Sequence, residues 1–270
     1  MRSVDTSPTT LIAPQPVAAE RVDRLEVEVY ADRAALGAAA GMAVAARLRA
    51  LLTAQDAVRM IFAAAPSQNE LLATLAAAPG VDWSRVTAFH MDEYVGLRAD
   101  DPRSFGHFLM TRLFEHVAPG TVRLIDGCAP PAAECRRYAA LLLAAPIDVL
   151  CLGIGENGHL AFNDPPHVDF DDATAMKFVA LAPASRQQQV HDGCFARLAE
   201  VPTHALTLTV PTLLAAREAY CVVPGAAKRP AVERTLRGEI EPACPASVLR
   251  RHGDARLYLD LESYPGAAGR

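Results

Sequence analysis

The chain has 270 residues, 51% of them hydrophobic and 21% charged, with a net charge of −5 at neutral pH. That length supplies a sizeable buried core, and scattered charges of net acidic sign give no basic stripe, so nucleic acid is not expected as a partner. The longest apolar runs are alanine-rich and interrupted by Arg, Asp or Pro before the ~20 residues of a membrane span, so no membrane partner is expected either.

Residues 1–22 lack a basic start joined to a continuous apolar stretch, and their Pro/Thr content reads as a flexible tail, not a signal peptide. LEVEVY (25–30) is a candidate strand, followed by a long alanine- and leucine-rich helix over 33–52. VRMIFAA (58–64) reads as a buried strand, after which Ser67, Gln68 and Asn69 open a helix through Leu75. RVTAFHM (85–91) is a third strand, 103–116 and 132–144 are amphipathic helices, and IDVLCLG (147–153) is a fourth strand. THALTLTV (203–210) and EAYCVV (218–223) follow, then a helix over 226–237 and a last strand, RLYLD (256–260).

Apolar strands alternating with helices indicate an α/β fold: one doubly wound, mostly parallel sheet with helices on both faces. Without a repeat or a mid-chain linker, residues 23–270 are expected to form one domain. The six cysteines have no CxxC spacing, and Cys151 and Cys221 lie inside apolar runs. Reduced thiols of a cytoplasmic protein are expected in preference to a disulfide framework or a zinc site.

In doubly wound sheets ligands bind beyond the carboxyl ends of the strands, and three such ends carry polar chemistry. The first is HMDEYVGL (90–97). Two acids, Asp92 and Glu93, directly after a buried strand are costly to bury unpaired, so they are solvated loop acids, an N-cap for the helix that follows, or functional groups. The second is GIGENGHLAFNDPP (153–166), which contains GxGxxG after a strand. A dinucleotide fingerprint also needs a helix opening at its third glycine, and Pro165-Pro166 forbids a long one, so the nicotinamide reading is rejected. Gly155 and Gly158 instead permit a tight turn that brings backbone and His159 to a ligand. His159 with Asp164 suits acid–base work, because a carboxylate can orient an imidazole. A metal site from His159, Asp164, His167 and Asp169 matches no standard ligand spacing, and none is expected. The third is VPGAAKR (223–229), where Lys228 at a strand–helix junction can reach a phosphate or simply lie exposed on a helix.

These segments resemble those of the glucosamine-6-phosphate deaminase/isomerase family. HMDEYVGL is similar to that family's FNMDEYVGL, and GIGENGHLAFNDP to its G-x-G-x-D-G-H-I-A-F-N-E-P. VPTHALTLTVPTLL and VVPGAAK also look like family stretches, and the order of elements agrees over residues 25–261. The superfamily includes 6-phosphogluconolactonases, whose loop looks like D-G-H-T-A-S-L-F-P and which lack MDEYVGL.

The resemblance implies that Asp92 is the base moving a proton between C2 and C1 of an open-chain sugar. It implies that His159 assists ring opening, flanked by residues matching Asn157 and Asp164. Ser67, Gln68, Asn69, Glu93, Gly155, Gly158, Arg186 and Lys228 are the expected substrate contacts. No cofactor is implied, and a homo-oligomer is compatible with the family.

The chain departs from the family pattern in several places. Asn157 replaces an acid, and Asp164 is one methylene shorter than the family glutamate. The phosphate loop, L-P-T-G-G-T-P in the family, reads AAPSQNE over 64–70, which places Glu70 in the turn. His191 stands where a family arginine is expected, with Arg186 nearby, and Lys228 matches. The leading expectation is therefore a deaminating aldose–ketose isomerase on glucosamine 6-phosphate or a close sugar phosphate. The alternatives are a diverged isomerase or lactonase on another sugar, phosphorylated or not, and a sugar-phosphate-binding regulator weakened in turnover.

Overall fold

The computed structural model describes residues 13–166 and 168–266. In chain order the elements are β1 (Ala18–Val22), β2 (Leu25–Tyr30), α1 (Arg33–Ala54), β3 (Val58–Phe62), α2 (Asn69–Ala77), β4 (Val86–His90) and β5 (Asp92–Tyr94). Next come α3 (Phe105–Leu109), α4 (Glu115–Val117), β6 (Thr121–Arg123), α5 (Pro131–Leu143), β7 (Val149–Leu152), β8 (Met176–Ala180) and α6 (Pro183–His191). The chain continues through β9 (His204–Leu208), α7 (Val210–Leu214), β10 (Glu218–Val223), α8 (Arg229–Arg237) and β11 (Ala255–Asp260).

Eight strands form one sheet in the order β1-β2-β11-β10-β7-β3-β4-β6, parallel throughout except for the antiparallel edge strand β1. Side chains alternate across a strand. In β7, Val149 and Cys151 therefore join one core with Tyr220, Leu48 of α1, Leu75 of α2 and Leu109 of α3. Leu150 and Leu152 join the other with Tyr138 of α5, Leu213 of α7 and Leu236 of α8. Helices thus cover both faces, as the continuous apolar runs require.

Local chemistry sets the helix ends. The Asp32 carboxylate accepts from Ala35 N at 2.8 Å and starts α1. With 22 residues α1 is long and apolar enough to cross a membrane, but its buried stripe from Leu36 to Leu52 packs within the core that holds Val149 and Cys151. The helix expected over 103–116 is instead α3 joined by a π turn (Met110–Phe114) to α4. All six cysteines are free.

Two features differ from expectation. Residues 18–22, expected within a flexible tail, pair with β2 from Ala18↔Val29 to Val22↔Leu25. The side chains of β1 stay half-exposed or exposed, so they carry no apolar alternation for the eye to catch; residues 1–12 lie outside the described residues. The stretch 203–210, expected among the strands of the parallel sheet, gives β9 at the centre of a separate antiparallel sheet, β5-β9-β8. That small sheet adjoins the carboxyl end of β4, where β5 follows directly and Leu208 N of β9 donates to Met91 O at 2.8 Å.

Candidate active site

Chain order reverses beside β3. The chain proceeds through β4 to β6 on one side, then returns through β7, β10 and β11 on the other. Strands β10, β7, β3 and β4 are neighbours and parallel, so the segments leaving their carboxyl ends diverge around one crevice, where a ligand is expected. A pocket lies there, lined by Ser67 and Gln68 after β3, Asp92 after β4, Gly155 and His159 after β7, and Lys228 after β10. Phe105 and Phe162 supply apolar wall, and Gln188 and Gln189 of α6 close one side.

Asp92 opens β5 opposite Thr207 of β9, with only 7% of its surface exposed. Its carboxylate accepts no hydrogen bond from any described residue and faces the pocket. Burial pushes its pKa well above the ordinary carboxylate range, and the neighbouring Glu93 charge adds to the effect. A carboxylate of raised basicity at the edge of a crevice is equipped to take a proton from carbon.

Glu93 points the other way. It accepts from the backbone N–H groups of Tyr94 at 2.9 Å, Phe105 at 3.1 Å and Gly106 at 2.8 Å. Burial raises its pKa to about 7 against those three donors. Expected as a substrate contact, Glu93 is instead the anion that caps α3, because successive strand residues face opposite sides and Asp92 takes the pocket side.

His159 lies in a turn closed by Gly158 N donating to Gly155 O at 2.9 Å and Gly155 N to His159 O at 3.0 Å. Its imidazole sits flat against Gly155, where an added Cβ would fall 2.2 Å from the ring. Gly158 adopts φ +91° and backs onto Cys244, so it shapes the turn without lining the pocket. Nδ1 of His159 is 2.8 Å from Asn157 Oδ1, 2.9 Å from Ser185 Oγ and 3.3 Å from Asp164 Oδ1. Asn157 Nδ2 donates to Asp164 Oδ1 at 2.9 Å, and the Ser185 hydroxyl donates to the same oxygen. Burial works to raise the Asp164 pKa, but His159 and the Ser185 and Asn157 donors outweigh it and hold the carboxyl at about 2. The four side chains form one fully engaged cluster, with Nε2 of the imidazole left for the pocket.

At the opposite end Lys228 is 7% exposed, forms no hydrogen bond with a described residue and lines the pocket. Burial lowers its pKa, while the charges of Asp192 and Glu156 work to raise it. Ser67 lies in the 3₁₀ turn Pro66–Gln68 that leads into α2. Gln68 Nε2 donates to Ser67 Oγ at 3.1 Å and Val222 O at 3.3 Å, leaving its buried Oε1 without a donor. Asn69 begins α2 outside the pocket lining. Glu70 turns away to Arg33, whose Nε donates to it at 2.7 Å.

Arg186 is not at the pocket. Its guanidinium donates to Leu198 O and Val201 O at 2.8 Å and to Pro202 O at 3.2 Å, fastening α6 to the following turn. The residues that face the pocket side from α6, Ser185, Gln188 and Gln189, were absent from the expected site. Their spacing of three and four is one face of a helix, and Arg186 falls about 100° round from Ser185. Among the described residues no three His, Cys, Asp or Glu side chains converge as metal ligands; His167 of the metal reading lies outside them.

Comparison with known proteins agrees with this architecture. Residues 31–258 match the family model described as glucosamine-6-phosphate isomerases/6-phosphogluconolactonase. A glucosamine-6-phosphate deaminase of Bacillus cereus (strain G9842) is 38% identical over 184 residues, 68% of each chain. A solved monomeric glucosamine-6-phosphate deaminase superposes with a TM-score of 0.80 at 28% identity, covering 88% of this chain and 98% of that one. The 6-phosphogluconolactonase of Thermotoga maritima shares the fold, with a TM-score of 0.71 at 16% identity over 87% of this chain and 99% of its own. With a doubly wound sheet and a match to the family model over residues 31–258, the chain belongs to the glucosamine-6-phosphate isomerase/6-phosphogluconolactonase family.

Proposed function

We propose that the protein is a cytoplasmic aldose–ketose isomerising deaminase, acting on glucosamine 6-phosphate or a close sugar phosphate. The observation that carries the reading is the unpaired Asp92 carboxylate sharing one crevice with the free Nε2 of His159. Interconverting an aldose and a ketose needs a single base over the C1–C2 edge and a second group to protonate the ring oxygen. In this reading the protonated His159 Nε2 donates to the ring oxygen as the C1–O bond opens. Asp92 then removes the proton from C2 and returns it to C1, which leaves an iminium at C2. Water adds there, ammonia departs, and the 6-phosphate ketose remains.

The phosphate would lie between the turn at Ser67, the start of α2 and Lys228. Backbone N–H groups at a helix start and one ammonium favour an anion there, and Glu70 is directed to Arg33, away from it.

A second reading is motivated by charge. Lys228 is the one lysine or arginine lining the pocket among the described residues, and Asp192 and Glu156 lie close enough to act on it. An unphosphorylated sugar, or a lactone, would suit that weaker anion site. The deciding measurement is ammonia release from glucosamine 6-phosphate, run beside glucosamine and 6-phosphogluconolactone hydrolysis. Turnover of the first alone supports the deaminase. Turnover of either other substrate at a higher kcat/KM overturns it, and binding of the sugar phosphate without any turnover points to a regulator.

A further inference from the structure

The negative charge nearest His159 does not meet it directly. Asp164 Oδ1 is 3.3 Å from Nδ1, beyond the usual N–H···O range. Two neutral groups fill the gap. Asn157 Nδ2 is committed to Asp164, which fixes the amide orientation and leaves Oδ1 to accept from His159 Nδ1 at 2.8 Å. The Ser185 hydroxyl proton is likewise committed to Asp164, so a lone pair on its oxygen faces Nδ1 at 2.9 Å. An acceptor on either side obliges Nδ1 to carry hydrogen, whichever form the other nitrogen takes.

We infer that Ser185 is a positioning residue that conveys the charge of Asp164 to the His159 imidazole and fixes its tautomer. The inference rests on the reading of His159 as the ring-opening group. A hydroxyl donating to a carboxylate becomes a better acceptor, so the bridge strengthens as the imidazole gains positive charge. Ser185 is 1% exposed and sits in the first turn of α6, whose Ala182 N–H also donates to Asp164 Oδ2 at 3.4 Å. The same carboxylate therefore anchors the helix that brings Gln188 and Gln189 to the pocket. The other charged groups lining the pocket are Asp92 and Lys228; Glu156 beside them contacts His191 at 3.3 Å.

The test uses the full chain without substrate, and then with glucosamine 6-phosphate. A downfield imidazole N–H proton resonance, assigned by its loss in His159→Gln, should move upfield in Ser185→Ala and return in Ser185→Thr. Ammonia release should fall about tenfold in kcat in Ser185→Ala, with KM within about twofold, the scale of one hydrogen bond to a charged group. Should the alanine variant not fold, Ser185→Cys keeps the volume with a weaker donor and should move the resonance the same way. An unmoved resonance in Ser185→Ala or Ser185→Cys, or a threonine variant no better than alanine, overturns the inference. A moved resonance in a protein that releases no ammonia keeps the bridge and removes the deaminase reading instead.

Discussion

Asn157 and Asp164 are joined by a single amide hydrogen bond, Nδ2 to Oδ1 at 2.9 Å, where the family pattern places two acids. His159 and then the Ser185 hydroxyl do most to hold the Asp164 carboxyl at about 2, and the Asn157 amide adds a donor where a second carboxylate would repel. Asn157→Asp should therefore set two carboxyls in contact, sharing a proton or a net extra charge beside His159. Extra negative charge favours the imidazolium, so the histidine limb of the pH–rate profile should move to higher pH. A profile identical to that of the parent would show that residue 157 does not couple to the rate-limiting proton.

Asp92→Asn should lower kcat by at least ~100-fold, the usual scale of general-base catalysis. It should not weaken the fold. The folded-state pKa of Asp92 is raised by burial, so its contribution to stability is complete below the ordinary carboxylate pKa and is lost as pH rises toward the raised value. The asparagine variant escapes that loss, and its melting temperature should gain on the parent from about pH 4 upward. Melting curves at pH 4 and 7 check this; an equal offset at both would show that Asp92 is not buried as a carboxylate.

Asp164 carries the opposite sign. Its folded pKa of about 2 lies below the ordinary carboxylate value, so it stabilises above that value and loses the contribution as pH falls toward 2. Asp164→Asn should cost about 2 kcal/mol near neutrality, and the deficit should shrink between about pH 4 and pH 2. Denaturant unfolding of both proteins across that range is the measurement, and a deficit independent of pH would assign the loss to packing.

The main sheet was legible because β3, β4, β7 and β10 are apolar on consecutive residues, which only strands buried on both faces need be. The small sheet was not. β5 is Asp92, Glu93 and Tyr94, three residues that no apolar pattern marks, and β8 is half-exposed. The loop motifs placed Asp92, His159 and Lys228 at strand ends, where the fold gathers them into one pocket. What sequence could not supply was direction. Glu93 and Arg186 are adjacent to pocket residues in the chain yet face away, one into α3 and one to the carbonyls of residues 198–202. Ser185 was hidden because its partner Asp164 is 21 residues distant.

The phosphate assignment makes the most exposed prediction, because two basic residues near the site should behave differently. Lys228 has no hydrogen-bond partner among the described residues and lines the pocket, whereas Arg186 spends its donors on three main-chain carbonyls. Lys228→Ala should weaken binding of a 6-phosphate sugar by about 10- to 100-fold, the loss of one hydrogen bond to a charged group, and leave the unphosphorylated parent sugar nearly unaffected. Arg186→Ala should lower the melting temperature, since three carbonyls of residues 198–202, in the turn after α6, lose their donor, while the ratio of the two sugar affinities stays unchanged. Calorimetric titration of both sugars against both variants separates the cases. Equal affinity for the two sugars in the parent protein, untouched by Lys228→Ala, would remove the phosphate from this pocket and leave an unphosphorylated sugar as its ligand. A ratio altered by Arg186→Ala would instead mean that the arginine leaves its carbonyls and turns into the pocket when the anion arrives.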